Sequence, residues 1–208
     1  MKFASTSILL LISLLSFDTR AQSKGLCSKE NNVLDYYLTI PYEIHPIFDD
    51  VLGPIKGKDD LRKNIELLDI KNGYLELQTK TIIPKISVAL FRQKDRSPII
   101  VSTHDGVSVQ NVFVFRCVGS IWVESSKKLF PEINLDTVEK YYNKNNVTVK
   151  GKALNKKELG MVAHTLIRFK LPREGRQISA YASHPDLLSE KQVSLFSLMF
   201  SDNKFVFR

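Results

Sequence analysis

Long apolar runs are nearly missing from this chain. The single long one, Ile8 to Phe17, lies at the start, and nothing later approaches the roughly 20 residues that a bilayer-spanning helix needs. A mature protein without a transmembrane segment is therefore expected. The run follows basic Lys2 and precedes Thr19-Arg20-Ala21, which puts small residues three and one positions ahead of Gln22. That is the layout of a secretory signal peptide, so residues 1–21 are expected to be cleaved and the rest to be secreted or periplasmic. Cys27 does not read as a lipidation site, because Leu26 stands where a small residue is required.

Cysteine is almost as scarce, with two residues, Cys27 and Cys117. In an oxidising compartment two cysteines tend to pair. Cys117 falls in a predicted strand on the same side as Phe113 and Phe115, so a bond to Cys27 would tie the N-terminal lead to the core face of a sheet. Closing so long a loop contributes at most about 4 to 5 kcal/mol in the chain-entropy picture.

Chemical motifs are missing altogether. The four histidines, His45, His104, His164 and His184, form no His-x-His or HExxH pattern, so no metal is expected. There is no G-x-S-x-G and no glycine loop suited to phosphate, and Cys117 sits among apolar residues that disfavour a thiolate. No cofactor is expected. His104-Asp105 and His184-Pro185-Asp186 are weak catalytic candidates; the plainer expectation puts both histidines at strand ends on the surface, with the aspartates starting turns. Phenylalanine alternates with basic residues near Arg116 and Arg208, but this is ordinary strand patterning in an exported chain, and no nucleic-acid partner is expected.

What the chain does have is a strand–turn rhythm written twice. Residues 89–100 (ALFRQKDRSPII) align without a gap against 167–178 (IRFKLPREGRQI), and 113–124 against 196–207. Phe91/Phe169, Ile100/Ile178 and Val123/Val206 are the matched apolar positions. The expected fold is α+β and mostly antiparallel β, with two four-strand meanders as candidate repeat units, 86–124 and 165–208, inside one domain spanning 22–208. The strand around Val114 and Phe115 carries apolar residues on both faces, which predicts cover on both sides. Two or three short helices should flank the sheets. An asparagine of the Asn31-Asn32 pair can cap one within Asn31 to Tyr37, and Asn134 another over Leu135 to Tyr142. The best helical stripe is Leu61, Ile65 and Leu68, predicting a helix over residues 58–68, followed by a turn at Asn72-Gly73.

Removal of Lys2, Arg20 and Asp18 leaves 28 bases against 21 acids, a net +7. This favours an acidic partner: an acidic protein or an anionic envelope polymer. The best-placed bases are Arg168, Lys170, Arg173 and Arg176, with Lys150, Lys152, Lys156 and Lys157 as second choice. Asn146-Val147-Thr148 also fits the N-glycosylation acceptor pattern. The function expected is an exported, non-catalytic binding protein, in concrete form an inhibitor or immunity-type protein. An envelope hydrolase using His104 or His184 and a structural envelope component are the alternatives.

Overall fold

The computed structural model describes residues 27, 32–41, 44, 61–78, 85–106, 110–161, 166–183 and 192–208. The expected signal peptide, most of the proline-rich stretch 41–58, and His45, His164 and His184 lie outside the described residues.

The chain is α+β, and mostly antiparallel β. The first sheet is a meander of six consecutive strands: β1 (Ile65–Asp69), β2 (Tyr74–Gln78), β3 (Lys85–Arg92), β4 (Pro98–Asp105), β5 (Gln110–Val118) and β6 (Ile121–Glu124). The second is a four-strand meander of β9 (Ile167–Lys170), β10 (Gln177–Ala182), β11 (Ser194–Ser201) and β12 (Lys204–Phe207). Between them β7 (Thr148–Val149) and β8 (Lys152–Ala153) form a small hairpin. Helices α1 (Val33–Leu38), α2 (Ser126–Leu129), α3 (Leu135–Lys144) and α4 (Lys156–Met161) are all short.

The helix expected over 58–68 is not found across its second half. Leu61 and Arg62 are helical, but Ile65–Asp69 is strand β1, paired with Tyr74 to Leu77 across a bulge at Glu66. Apolar residues at 61, 65 and 68 suit a helix stripe. The turn before Gly73 decides otherwise, because it folds 65–69 back onto a strand whose Leu75 and Leu77 are already buried. Gly73 has φ +68°, and a Cβ there would meet the Leu90 Cβ at 2.9 Å. Only glycine fits this conformation against β3 without strain.

Both expected asparagine caps form, the first at Asn32 rather than Asn31. Asn32 Oδ1 accepts from the Leu34 and Asp35 amides, and Asn134 Oδ1 accepts from the Thr137 amide. A six-residue helix such as α1 is too short to stand alone, so its stability comes from packing. Val33, Leu34, Tyr36 and Tyr37 are all buried against the first sheet. Trp122 closes this side: its ring meets Tyr36 edge-on at 5.9 Å, and its Nε1–H donates to Thr39 Oγ1 at 2.8 Å.

The first sheet thus has two cores. Adjacent residues Val114 and Phe115 are both 0% exposed, Phe115 facing α1 and Val114 facing the second sheet and helices α2 to α4. The expected two-sided cover is present, from a helix on one face and a sheet with helices on the other. The second core is strongly aromatic: Phe91 lies 5.1 Å from Phe205 and 5.5 Å from Phe200, and Tyr141 of α3 lies 4.6 Å from Phe196. Such pairs add about 0.5 to 1.5 kcal/mol each beyond burial.

The aligned letters of the two meanders do not mark matching faces. Phe91 and Phe169 face the same core, but Ile100 faces α1 whereas Ile178 faces the second core. The loop after Arg92 has five residues and the loop after Lys170 has six, and one residue of slip reverses every side chain in the returning strand. Phe113, Phe115 and Trp122 accordingly pack toward α1, while Phe196, Leu198 and Phe205 pack into the second core.

Cys27 and Cys117 form a disulfide, with Cα atoms 5.9 Å apart, and the Cys27 amide donates to Ser120 O at 3.1 Å. The expected bond is present and fixes Cys27 beside β5 and β6, and a disulfide is compatible with an extracellular or periplasmic location. Among the described residues no helix is long and apolar enough to cross a membrane.

Phe205 is buried among Phe91, Phe130 and Phe200. Phe205→Ala is expected to destabilise the protein by about 3 to 5 kcal/mol in urea unfolding. Deletion of residues 205–207, which removes most of β12, is expected to leave a chain without a cooperative transition.

Candidate functional site

The inner face of the first sheet changes character row by row, and the cross-strand register shows where. One row runs Phe91–Ile99, the next Tyr74–Ala89–Val101–Val114; both are largely apolar and belong to the second core. The following row is Glu76–Ser87–Thr103–Val112, and the last is Gln78–Lys85–Asp105–Gln110. Past Tyr74 the sheet therefore presents polar groups where its inner face would otherwise continue the core. A cleft of about 380 Å³ opens there, walled on its other side by β9 and β10.

The floor is a connected polar network. The Tyr74 hydroxyl donates to Glu76 Oε1 at 2.5 Å, and Lys85 Nζ lies 2.6 Å from Glu76 Oε2. The Glu76 side chain is 17% exposed. Burial alone would raise its pKa, but the bonds from Lys85 and Tyr74 outweigh it and hold the carboxyl below its ordinary value. Burial, reinforced by Glu76, pushes the Tyr74 phenol well above the usual range, so it stays a donor.

Gln110 joins the floor to the wall. Its Nε2 donates to Asp105 Oδ1 at 2.6 Å and to Phe169 O at 3.0 Å, and its Oε1 accepts from the Phe169 amide at 2.6 Å. One side-chain amide thus serves both backbone groups of Phe169 on the outer edge of β9, the position a neighbouring strand would take. At the start of β9 the Leu166 carbonyl accepts from the Tyr142 hydroxyl at 2.6 Å and from the Ser183 amide at 2.8 Å. Burial raises the Tyr142 phenol to about 12.

Of the bases chosen from sequence, Arg168 and Lys170 line this cleft. They come from the side of β9 opposite Ile167 and Phe169, which face the core, and Tyr181 pairs with Arg168 in register on the same side. Arg168 Nη2 also donates to Gly106 O at 3.2 Å. Arg173 and Arg176 lie in the β9–β10 connection and bind the first sheet. Arg173 Nε meets Asp69 Oδ2 at 2.8 Å, while Arg176 donates to Arg92 O and rests over the Phe200 ring. Lys150, Lys152, Lys156 and Lys157 do not line the cleft. Lys150 and Lys152 belong to the β7–β8 hairpin, and Lys156 joins α4 to α3 through Asp136 at 2.6 Å.

His104 is not at the surface as expected. It is 1% exposed, its Nε2 is 3.3 Å from Ser102 Oγ, and its ring meets Phe113 at 5.1 Å. Strand alternation points it toward the α1 side, whereas Thr103 and Asp105 line the cleft. The neighbouring carboxylate is thus on the opposite face of the sheet. His184 lies outside the described residues. Among the described residues no three His, Cys, Asp or Glu side chains are grouped to hold a metal ion.

The sequence reading missed Glu76, Lys85, Gln110 and Tyr181, and named Asp105 only beside His104. Each is an unremarkable polar or aromatic residue within its own strand. The usable signal is that the polar positions fall at matching strand ends, which shows only after the strands are paired.

Two outcomes are expected. Gln110→Ala should speed hydrogen exchange at the Phe169 amide about 10- to 100-fold, the equivalent of about 1 to 3 kcal/mol for unsatisfied backbone groups, while leaving Ala180 protected. The Arg173 bond, helped by Asn72, lowers the Asp69 pKa from 3.8 to about 2. A depressed carboxyl stabilises the fold above its unfolded pKa and loses that effect as pH falls through the folded value. The loss of stability in Arg173→Gln should therefore be constant above about pH 4 and vanish near pH 2, as followed by thermal unfolding.

No known family matches the chain, and no curated protein matches its sequence. A domain of an uncharacterized protein from Porphyromonas gingivalis W83 is similar in structure, with a TM-score of 0.54 and 10% identity over 83% of this chain and 95% of that one. At that identity the likeness is one of fold.

Proposed function

We propose that the chain is an exported binding protein with no catalytic step of its own, which recognises an acidic protein or an anionic envelope polymer. An inhibitor or immunity-type protein that blocks a lytic enzyme is its concrete form. The observation that carries this reading is the placement of Arg168 and Lys170 on a preformed cleft whose carboxylate Glu76 is already engaged by Lys85 and Tyr74. The net positive charge of the chain and the disulfide support it. Of the two histidines of the hydrolase alternative, His104 is buried on the face opposite the cleft, and His184 lies outside the described residues.

One observation favours the structural-component reading as second choice. On the edge strand β6 and its neighbour, Val118, Ile121 and Val123 are exposed by 44%, 41% and 39%. An exposed apolar edge can pair with a second copy.

The test is capture of partners from envelope and extracellular fractions, followed by binding measurements on what is captured. Affinity should fall at least about tenfold between 0.1 and 1 M salt, as the screening length drops from about 10 to 3 Å. It should fall likewise in the Arg168→Ala/Lys170→Ala double variant and not in Lys156→Ala. Binding that ignores both salt and the double variant would sink the reading. Concentration-dependent mass in light scattering, abolished by Ile121→Lys, would favour self-assembly instead.

A further inference from the structure

We infer that the β5–β6 hairpin docks the protein on an anionic lipid surface. This goes beyond the proposed binding function and uses the end of the first sheet opposite the cleft. A two-residue turn, Gly119-Ser120, joins β5 to β6. Arg116 pairs with Val123 and Val118 with Ile121, which sets all four side chains on one face. It is the face of Val114, which belongs to the second core. Along the row Phe91–Ile99–Arg116–Val123 the first two residues are buried, Arg116 is half-buried and Val123 is exposed. The cover over this face thus stops short of β6. Of the five large apolar side chains exposed among the described residues, three (Val118, Ile121 and Val123) lie together here.

Arg116 lies among them unpaired. Its Nε is buried with no hydrogen-bond acceptor among the described residues, and no carboxylate pairs with it there. A guanidinium shielded by aliphatic neighbours and left unpaired is costly, and a phosphate that accepts two of its N–H groups offsets that cost. Helix α2 begins on the same face. Its Ser126 Oγ accepts from the Val114 amide at 2.9 Å, its Leu129 is buried in the second core, and its Lys127 and Lys128 are exposed. Aliphatic side chains beside fixed cations match a bilayer surface, where phosphates overlie hydrocarbon. Glu124 pairs with Phe115 and so projects from the other face. A second copy added antiparallel along β6 would therefore cover Ile121 and Val123 but leave both arginines unpaired. Three aliphatic residues also fall far short of the roughly 800 Å² per partner that a stable protein interface buries, whereas weak attachment to lipid has no such minimum.

Vesicle flotation tests this on the chain without residues 1–21, so that the apolar run Ile8 to Phe17 cannot itself insert. The probes are vesicles of phosphatidylcholine alone and of phosphatidylcholine with about 30% phosphatidylglycerol. Binding to the anionic vesicles should be at least about tenfold stronger than to the neutral ones. Arg116→Gln should weaken it about fivefold, and Ile121→Ser and Val118→Ser, both at exposed positions, at least about fivefold at unchanged unfolding midpoint. The cleft variant Arg168→Ala/Lys170→Ala should bind vesicles as the parent does. If the anionic vesicles hold the hairpin variants as tightly as the parent, the attraction is net charge alone and the inference is wrong. If neither vesicle binds, it is overturned as well; a mass that rises with concentration and is restored to the monomer by Ile121→Lys would then assign the face to a second copy. None of these outcomes bears on the cleft, which is tested separately by the Arg168→Ala/Lys170→Ala variant on a captured partner.

Discussion

Everything in this molecule hangs on one sheet being buried on both faces. Strand β5 places Val114 in one core and Phe115 in another, and β3 does the same with Val88 and Ala89. A sheet with water on one side needs alternate residues to be apolar; this one needs nearly all of them. The covers differ in kind. On one side, among the described residues, a six-residue helix, disulfide-held Cys27 and Leu61 form the cover, with Tyr36, Tyr37 and Trp122 supplying large rings to a small area. On the other, a whole second sheet and three helices share the work, with phenylalanines filling the space between. The second core extends only as far as the apolar rows do.

Where the rows turn polar, the same sheet becomes the floor of the cleft. Fold and candidate site are therefore one construction, since the register that aligns Ala89 with Val101 and Val114 also aligns Lys85 with Asp105 and Gln110. A carboxylate such as Glu76, with little exposure, is costly unless paired. Lys85 and Tyr74 meet that demand from the floor itself, and Lys170 of β9 adds to the attraction at longer range.

Local chemistry was legible in the sequence, and pairing was not. Caps at the Asn31-Asn32 pair and at Asn134 were readable because a cap needs only three neighbouring residues. Alternation was enough to put Cys117 beside Phe115, and so to anticipate the disulfide. Residues 65–68 were misread because spacings of three and four satisfy a helix stripe, while the deciding partner, Tyr74–Leu77, lies across a turn. His104 was misplaced for a related reason: a polar residue at a strand end looks exposed until the layer covering it is known. Of the basic residues, Arg168 and Lys170 could be separated from Ile167 and Phe169 by alternation alone. That Arg173 and Arg176 hold the two sheets together depends on Asp69 and the Arg92 carbonyl, which no local pattern associates with them.

The grip of Gln110 on Phe169 bears on how a ligand would be met. Two walls of the cleft belong to different sheets, and a ligand spanning them would ordinarily have to lose their relative freedom on arrival. Here the amide of one side chain has already spent that freedom during folding, with Asp105 orienting the amide in turn. A site organised before its ligand arrives pays less ordering entropy at binding, so affinity can come from a handful of contacts on a modest area.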